Sequence, residues 1–348
     1  MGRIRRFDRG GDRVAASSQP TLSIVVPSYN VQDYLEHSLS FYDDARLEGL
    51  VEVVVVNDGS TDDTLSIAQR FEAARPGVFT IVSKENGGHG SAVNAGIAAA
   101  KGTYVRVIDG DDWANTDNLV EFATALRGVT SDLVCDVKRE VNMATGDTAL
   151  FPLPAYVPVG AEVPFEQICA GDDISSYIMI HTLSIRTEFA RRIGLRLLEK
   201  TFYVDYEYVV KATLEAATIS FFDCNVCQYL VGNAAQSVAD DNYVRRFADH
   251  TRVTYEILRI YEEKKDGLSD VRRAYLQERA VLICNTHYNI ALIFDKDRKR
   301  GMRRANEFRS HLRQNHPDIA ALTDKRYRLA KLLHYLGVDS QEKLNRLK

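Results

Sequence analysis

Residues 51–62 read VEVVVVNDGSTD, and this stretch decides the fold class. Five β-branched valines, interrupted once by Glu52, end abruptly in Asn57-Asp58-Gly59-Ser60-Thr61-Asp62. A strand that is apolar without alternation is covered on both faces, as in a parallel sheet flanked by helices. The same grammar repeats on either side. Leu22–Val26 runs into PSYN and a helical stretch at Val31–Tyr42, and Thr61–Ala74 follows the second strand, with Ser60 or Thr61 as the expected N-cap. Phe79–Val82 is a third strand, Ser91–Ala100 an Ala-rich helix, Tyr104–Ile108 a fourth strand ending in DGDDW, Asn118–Arg127 a helix and Leu133–Val137 a fifth strand. Strands alternating with helices of this length predict βαβ units and a mostly parallel α/β sheet. Ligands of such sheets bind beyond the carboxyl ends of the strands. Three polar clusters fall there: PSYN, NDGSTD and DGDDW.

Each cluster has its own chemistry. Asp109-Gly110-Asp111-Asp112 gathers carboxylates on one tight turn, with Gly110 expected to permit the bend. Hard oxygen ligands at that density suit Mg²⁺ or Mn²⁺ rather than zinc. An Asp-rich turn capping the next helix would look the same. Asp58, just past a buried strand, is placed to accept from a nucleobase or ribose, whereas Ser60, Thr61 and Asp62 read as helix-cap residues. Asn86-Gly87-Gly88-His89 opens the Ala-rich helix, where unsatisfied N–H groups and the positive dipole end would suit a diphosphate. His89 is read as a contact for phosphate or acceptor, or as a loop histidine with a backbone role. Neither G-x-G-x-x-G nor G-x-x-x-x-G-K-[ST] occurs.

Taken in order and spacing, IVVPSYN, VVVNDGSTDDT, NGGHGSAVNAGIAAAKGTYV and IDGDDW resemble glycosyltransferase family 2, tightly over Thr21–Trp113 and loosely to about Val238. The resemblance implies a GT-A fold and an inverting enzyme that uses a nucleotide-sugar donor, a UDP-sugar being expected, with Mn²⁺ or Mg²⁺ as cofactor. It implies that Pro27 and Tyr29 line the nucleoside pocket, that Asp58 binds the base, and that Asp109 and Asp111 form the D-x-D motif with Asp111 nearest the metal. TFYVDYEYVVKATLEA is similar to the family's catalytic-base segment, which puts the base at Asp205, with Glu207 as second candidate. QYLVGNAAQSV is similar to the segment that follows, placing Gln236 and Ser237 near the donor. The Q-x-x-R-W box of processive synthases is missing, Trp113 being the sole tryptophan. A glycan or lipid-linked acceptor in cell-surface polysaccharide or glycoconjugate synthesis is implied. A sugar-1-phosphate nucleotidyltransferase would need a glycine-rich loop with Arg and Lys after strand one, which PSYN does not supply. A non-catalytic binding module would leave DGDD and VDYE without a joint role.

Composition sets the outer limits. The 348 residues are 45% hydrophobic and 26% charged, which excludes collagen-like and wholly disordered chains. The expected organisation is a disordered lead-in at 1–20, a catalytic domain at 21–239 (halves 21–140 for the donor and 141–239 for the acceptor) and a helical extension at 240–348. No run approaches a membrane span, and MGRIRRFDRGGDR is no secretory signal. Five scattered cysteines read as structural thiols of a reducing cytoplasm; Cys224 and Cys227, in the strand-like SFFDCNVCQYLV, would face opposite sides. A net charge of −4 argues against nucleic-acid binding. That total conceals a basic tail: Lys296–Lys348 holds fifteen Lys/Arg against six Asp/Glu, +9 on a body of −13. Within it KRYRLAKLLHYL (325–336) is basic and amphipathic, a face for peripheral contact with the inner membrane surface, for the catalytic domain, or for a second subunit.

Overall fold

A computed structural model describes residues 19–171, 174–232 and 239–345. Most of the expected lead-in, together with Gln236 and Ser237, lies outside them. Two compact units are present, one of residues 1–200 with 204–233, the other of 201–203 with 234–348.

The first unit is built on β1 (Leu22–Ser28), α1 (Gln32–Ser40), β2 (Val51–Asn57), α2 (Thr64–Ala74), β3 (Phe79–Ser83), α3 (His89–Ala99) and β4 (Tyr104–Val107). All four strands are parallel, in the order β3-β2-β1-β4. Every residue of β1, β2 and β4 is buried. Alternate side chains serve opposite faces. Ile24, Val26, Val53 and Val55 join Leu35, Leu39 and Tyr42 in one core cluster, to which Leu119, Phe122 and Leu126 add. On the other face α3 lies so close that a Cβ at Gly96 would fall 2.1 Å from Val25 Cγ1. Burial of this kind contributes on the order of 25 cal/mol per Å² of apolar surface and outweighs the modest helix propensities of α1 and α2.

Past β4 come β5 (Trp113–Ala114), α4 (Thr116–Leu126), β6 (Leu133–Cys135), β7 (Lys138–Asn142), β8 (Thr148–Phe151), β9 (Glu162–Pro164), α5 (Phe165–Cys169), β10 (Leu183–Arg186), α6 (Thr187–Arg192), α7 (Val204–Glu215), β11 (Thr218–Phe221) and β12 (Cys227–Val231). The large sheet continues β4-β10-β6-β11-β9, and β10 is antiparallel to both of its neighbours. The sheet is therefore parallel in its first half and mixed in its second. The reversal delivers the residues before β10, His181 among them, to the carboxyl edge of β4, and sets Arg186 opposite Tyr104 at the far edge. A second sheet, β5-β12-β7-β8, stands beside it. The stretch read as one strand at 220–231 is two, broken by a turn at Asp223–Val226, so Cys224 lies outside both strands; both cysteines are nonetheless buried.

The second unit is helical: α8 (Asp240–Arg245), α9 (Phe247–Lys264), α10 (Asp270–Asn289), a π turn at Ile290–Phe294, α11 (Arg298–Asn315), α12 (Pro317–Tyr335) and α13 (Gln341–Asn345). α12 begins eight residues before the expected 325, with Pro317 in its first turn, where the lost N–H costs nothing. Among the described residues no helix is long and apolar enough to cross a membrane.

Candidate active site

The carboxyl edge of the parallel strands is where the polar clusters meet. Two loops brace each other across β1 and β2. Asn30 N–H donates to Ser60 Oγ at 3.1 Å, Asn30 Oδ1 accepts from Thr61 N at 2.9 Å, and Asp62 Oδ2 accepts from Gln32 N at 3.3 Å. The cap roles expected for Ser60 and Thr61 are thus not what they do; Asp63 is the N-cap of α2. Tyr29, at the start of the braced segment, is half exposed at 50%, whereas Pro27 is buried within β1.

Asp58 is buried and fully engaged. Its Oδ1 accepts from Lys84 Nζ at 2.7 Å and from Gly87 N at 3.0 Å, and its Oδ2 from Gly88 N at 2.7 Å. Asp58 thereby ties down the NGGH loop, its carboxylate engaging the N–H groups of Gly87 and Gly88. Asn86 is exposed at the loop's tip.

The acidic turn lies beyond β4. Gly110 is favoured by close packing rather than by φ: a Cβ there would sit 3.2 Å from Pro27 O, Ser28 Oγ and Val31 Cγ2. Oxygens of Asp109, Asp111 and Asp112 lie within 4.8 Å of one another, the one such group of possible metal ligands among the described residues. The three carboxyls differ in surroundings. Asp112 is buried, its Oδ1 accepting from Leu230 N at 2.8 Å while Oδ2 has no partner. Burial, with the charges of Asp111 and Asp109, pushes Asp112 well above the usual carboxylate range. Burial and the charge of Asp109 raise Asp111 to about 6. Asp109 moves the other way: burial opposes its charge, but His89 overrides that and holds it low. The contact is His89 Nε2 to Asp109 Oδ1 at 2.8 Å. Burial likewise works against a charged His89, and Asp109, Asp205 and Asp111 together outweigh it, so the imidazole titrates above its ordinary value. A turn crowded with carboxylates, one with an orphaned oxygen, fits a hard divalent cation.

α7 supplies the fourth acid. Asp205 and Glu207 both stand in its first turn, two residues apart, and face different ways. Asp205 is open to solvent. Crowding by the surrounding protein and the charge of Asp109 hold its carboxyl up, with His89 pulling the other way, so Asp205 stands in the field of the same groups. Glu207 is fully buried, accepting from Leu198 N at 3.0 Å and pairing with Lys211 Nζ at 2.5 Å. Glu207 therefore fastens α7 to the preceding loop, and Asp205 is the acid that faces the site. His181 also belongs here: it stacks on Tyr229 at 4.5 Å and 5°, and burial, reinforced by Lys138, holds it down to about 3, a neutral ring. Nothing in the spacing of IMIHTLSIRTEF marks that position, because its approach depends on the reversed strand.

The comparisons with known proteins converge on one chemistry. The family model described as glycosyl transferase family 2 matches residues 23–182. The uncharacterized glycosyltransferase EpsJ of Bacillus subtilis is 38% identical over 97 residues, 28% of this chain and 28% of that protein. The chondroitin synthase of Pasteurella multocida is 38% identical over 129 residues, 35% of this chain and 13% of that protein. The chain thus aligns with well under half the length of these relatives. Among solved structures, S. aureus TarS 1–349 in complex with UDP-GlcNAc superposes with a TM-score of 0.64 at 20% identity, covering 91% of this chain and 92% of that one. Mannosyltransferase PcManGT from Pyrobaculum calidifontis, in complex with GDP-Man and Mn²⁺, gives 0.53 at 17% identity, covering 94% and 91%. These structural likenesses show a shared fold.

Proposed function

We propose, from the premise that residues 23–182 are a glycosyltransferase family 2 region, that the chain transfers a sugar from a nucleoside diphosphate sugar to an acceptor hydroxyl with inversion at the anomeric carbon. The observation that carries this reading is the meeting of Asp109, Asp111, His89 and Asp205, drawn from three separate segments, at one sheet edge. A nucleotide-sugar donor accords with the UDP-GlcNAc and GDP-Man seen with TarS and PcManGT, and UDP is the first nucleotide to test. Cell-surface polysaccharide synthesis is the setting suggested by relatives such as the chondroitin synthase, with a glycan or lipid-linked acceptor.

Asp111 and Asp109, with Asp112 behind them, would hold Mn²⁺ or Mg²⁺, which when bound offers a Lewis acid to the negative charge of the departing diphosphate. Tyr29 and the braced PSYN–NDGSTD loops border the nucleoside side, and Asp58 acts there through the loop it holds. Gly88 shapes that loop, and His89 orients Asp109 and contributes positive charge near the phosphates. Asp205 takes the proton of the acceptor hydroxyl as its oxygen attacks C1; the C1–O bond to the diphosphate breaks and the electron pair leaves with the nucleotide. General-base help of this kind is worth about 10² to 10⁴ in rate.

Asp205→Asn is expected to lower transfer by about 10² or more with donor affinity nearly unchanged. Glu207→Gln is expected to lower thermal stability and spare chemistry in the protein that remains folded. Near-native turnover of Asp205→Asn, read by nucleotide release with Mn²⁺ present, would remove Asp205 from the mechanism. Release of pyrophosphate in place of the nucleoside diphosphate would favour nucleotidyl transfer instead.

A further inference from the structure

The helical unit bears a surface that the donor chemistry does not use. On α12 and at its C-cap, Leu322 (51%), Leu329 (43%), Leu332 (54%), Tyr335 (69%) and Leu336 (69%) stand exposed. Positions 322, 329 and 336 repeat every seven residues, and 332 lies between their lines, so the leucines form one stripe along the helix. Exposed Lys325 and Arg328 sit within the stripe and Lys331 flanks it. The acids of α12 are spoken for: Asp318 bonds the Tyr261 hydroxyl, and Asp324 is clamped by Arg309 and Arg328. Past the helix's carboxyl end lies a groove of about 970 Å³ whose lining includes Arg298, Lys299 and Arg303 beside Tyr335 and Leu336, with Glu307 its single acid. A stripe of exposed leucines with basic residues on its flanks combines apolar and anionic affinity in one face.

We propose that this face of α12, with the Arg298–Arg303 turn of α11, docks on an anionic phospholipid bilayer. The leucines and Tyr335 enter the acyl boundary while Lys325, Lys331, Lys299 and Arg303 meet lipid phosphates. Charge selects this occupant over a second copy of the chain. A second copy would bring the same excess of Lys and Arg to the contact, like charge against like, whereas anionic headgroups answer it.

The test uses the full chain and vesicles of phosphatidylcholine with or without about one-third phosphatidylglycerol, read by co-sedimentation. The expected result is pelleting with the anionic vesicles alone, reversed by raising NaCl to about 0.5 M. Lys325→Gln with Lys331→Gln should weaken partitioning by about 25-fold, near fivefold for each charge. Leu329→Ser with Leu332→Ser should abolish it, with melting temperature and donor hydrolysis kept at wild-type values. Equal binding to neutral vesicles, no pelleting with either, or unchanged pelleting of the leucine variant would each overturn the proposal. So would a lipid-free dimer in light scattering that the leucine variant dissolves. Donor hydrolysis, measured without vesicles, stands or falls separately.

Discussion

Asp58 stands where strand β2 gives way to its loop, with a lysine ammonium and two backbone N–H groups converging on it from Lys84, Gly87 and Gly88. Removing the carboxylate leaves those donors unanswered in a buried place, at about 1–3 kcal/mol for each group that water does not reach. Asp58→Ala is expected to cost about 3 kcal/mol in urea denaturation and to weaken donor binding at least tenfold, because the NGGH loop loses its anchor; native stability in that variant would refute the anchoring role. The sequence marked Asp58 by its position after a buried run but gave no sign of what it holds, since Lys84 and the glycines are some thirty residues away. Asp205 and Glu207 teach the same lesson. Two acids two residues apart on a helix point in directions about 160° apart, so at most one faces a given site. Which one does so depends on what packs against α7, and that is written in Leu198 and Lys211 as much as in VDYE itself.

At the scale of elements, α3 is the piece on which the site turns. It lies on β1 through Gly96 and presents His89 from its first residue to Asp109. Its first turn also touches the segment that leads into α7: an added Cβ at Gly90 would come within 2.1 Å of Leu198 O, a backbone atom that cannot swing away. Gly90→Ala must therefore push the 197–200 loop, and with it α7 and Asp205, off position. Turnover is expected to fall at least tenfold, while Gly128→Ala, whose Cβ would be 3.8 Å from its nearest neighbour, leaves activity unchanged. Equal activity of the two variants would show that the α3–α7 approach does not position the base. The strands up to β4 were legible because each is a short, largely apolar run that ends in a polar turn. A strand-like run at Ile178–Ile185 was legible too and holds most of β10, but its direction was not, since an inserted antiparallel strand has the same local composition as a parallel one. The early start of α12 was missed although Pro317, suited to a first turn, signalled it.

For the whole molecule, acid acts on the helical unit through two buried histidines. His250 and His287 of the helical unit are buried against each other, Nδ1 to Nδ1 at 3.1 Å, a contact in which at least one ring is neutral. Burial alone holds His250 down to about 3, and burial with the charge of its neighbours holds His287 well below the ordinary range. The unfolded chain takes up protons at about 6.5, so it binds more of them than the folded one across the interval between. Stability contributed by neutral His250 is thus complete above about pH 6.5 and is lost as pH falls toward 3, at up to about 1.4 kcal/mol per pH unit. Scanning calorimetry from pH 7 to pH 5 is expected to show a falling transition for the helical unit, with a smaller fall in His250→Asn; a fall of equal steepness in that variant would sink the assignment. The basic tail also resolves at this scale. Part of its charge is consumed internally, as where Arg300 and Arg304 hold buried Asp295, while Lys325, Arg328 and Lys331 lie on α12.

The sequence by itself determined the alternation of strand and helix, the apolar core, the polar clusters at strand ends and the family resemblance. All of these are written in neighbouring residues, because the periods of strand and helix are local. Only the tertiary structure decided that Asp58 anchors a loop, that Ser60 and Thr61 brace the neighbouring loop, that Asp205 rather than Glu207 faces His89 and Asp109, and that His181 joins them. Each of those outcomes depends on the direction in which a side chain points when segments far apart in the chain are packed together. Burial and charge then act through space, on partners that spacing along the chain does not name.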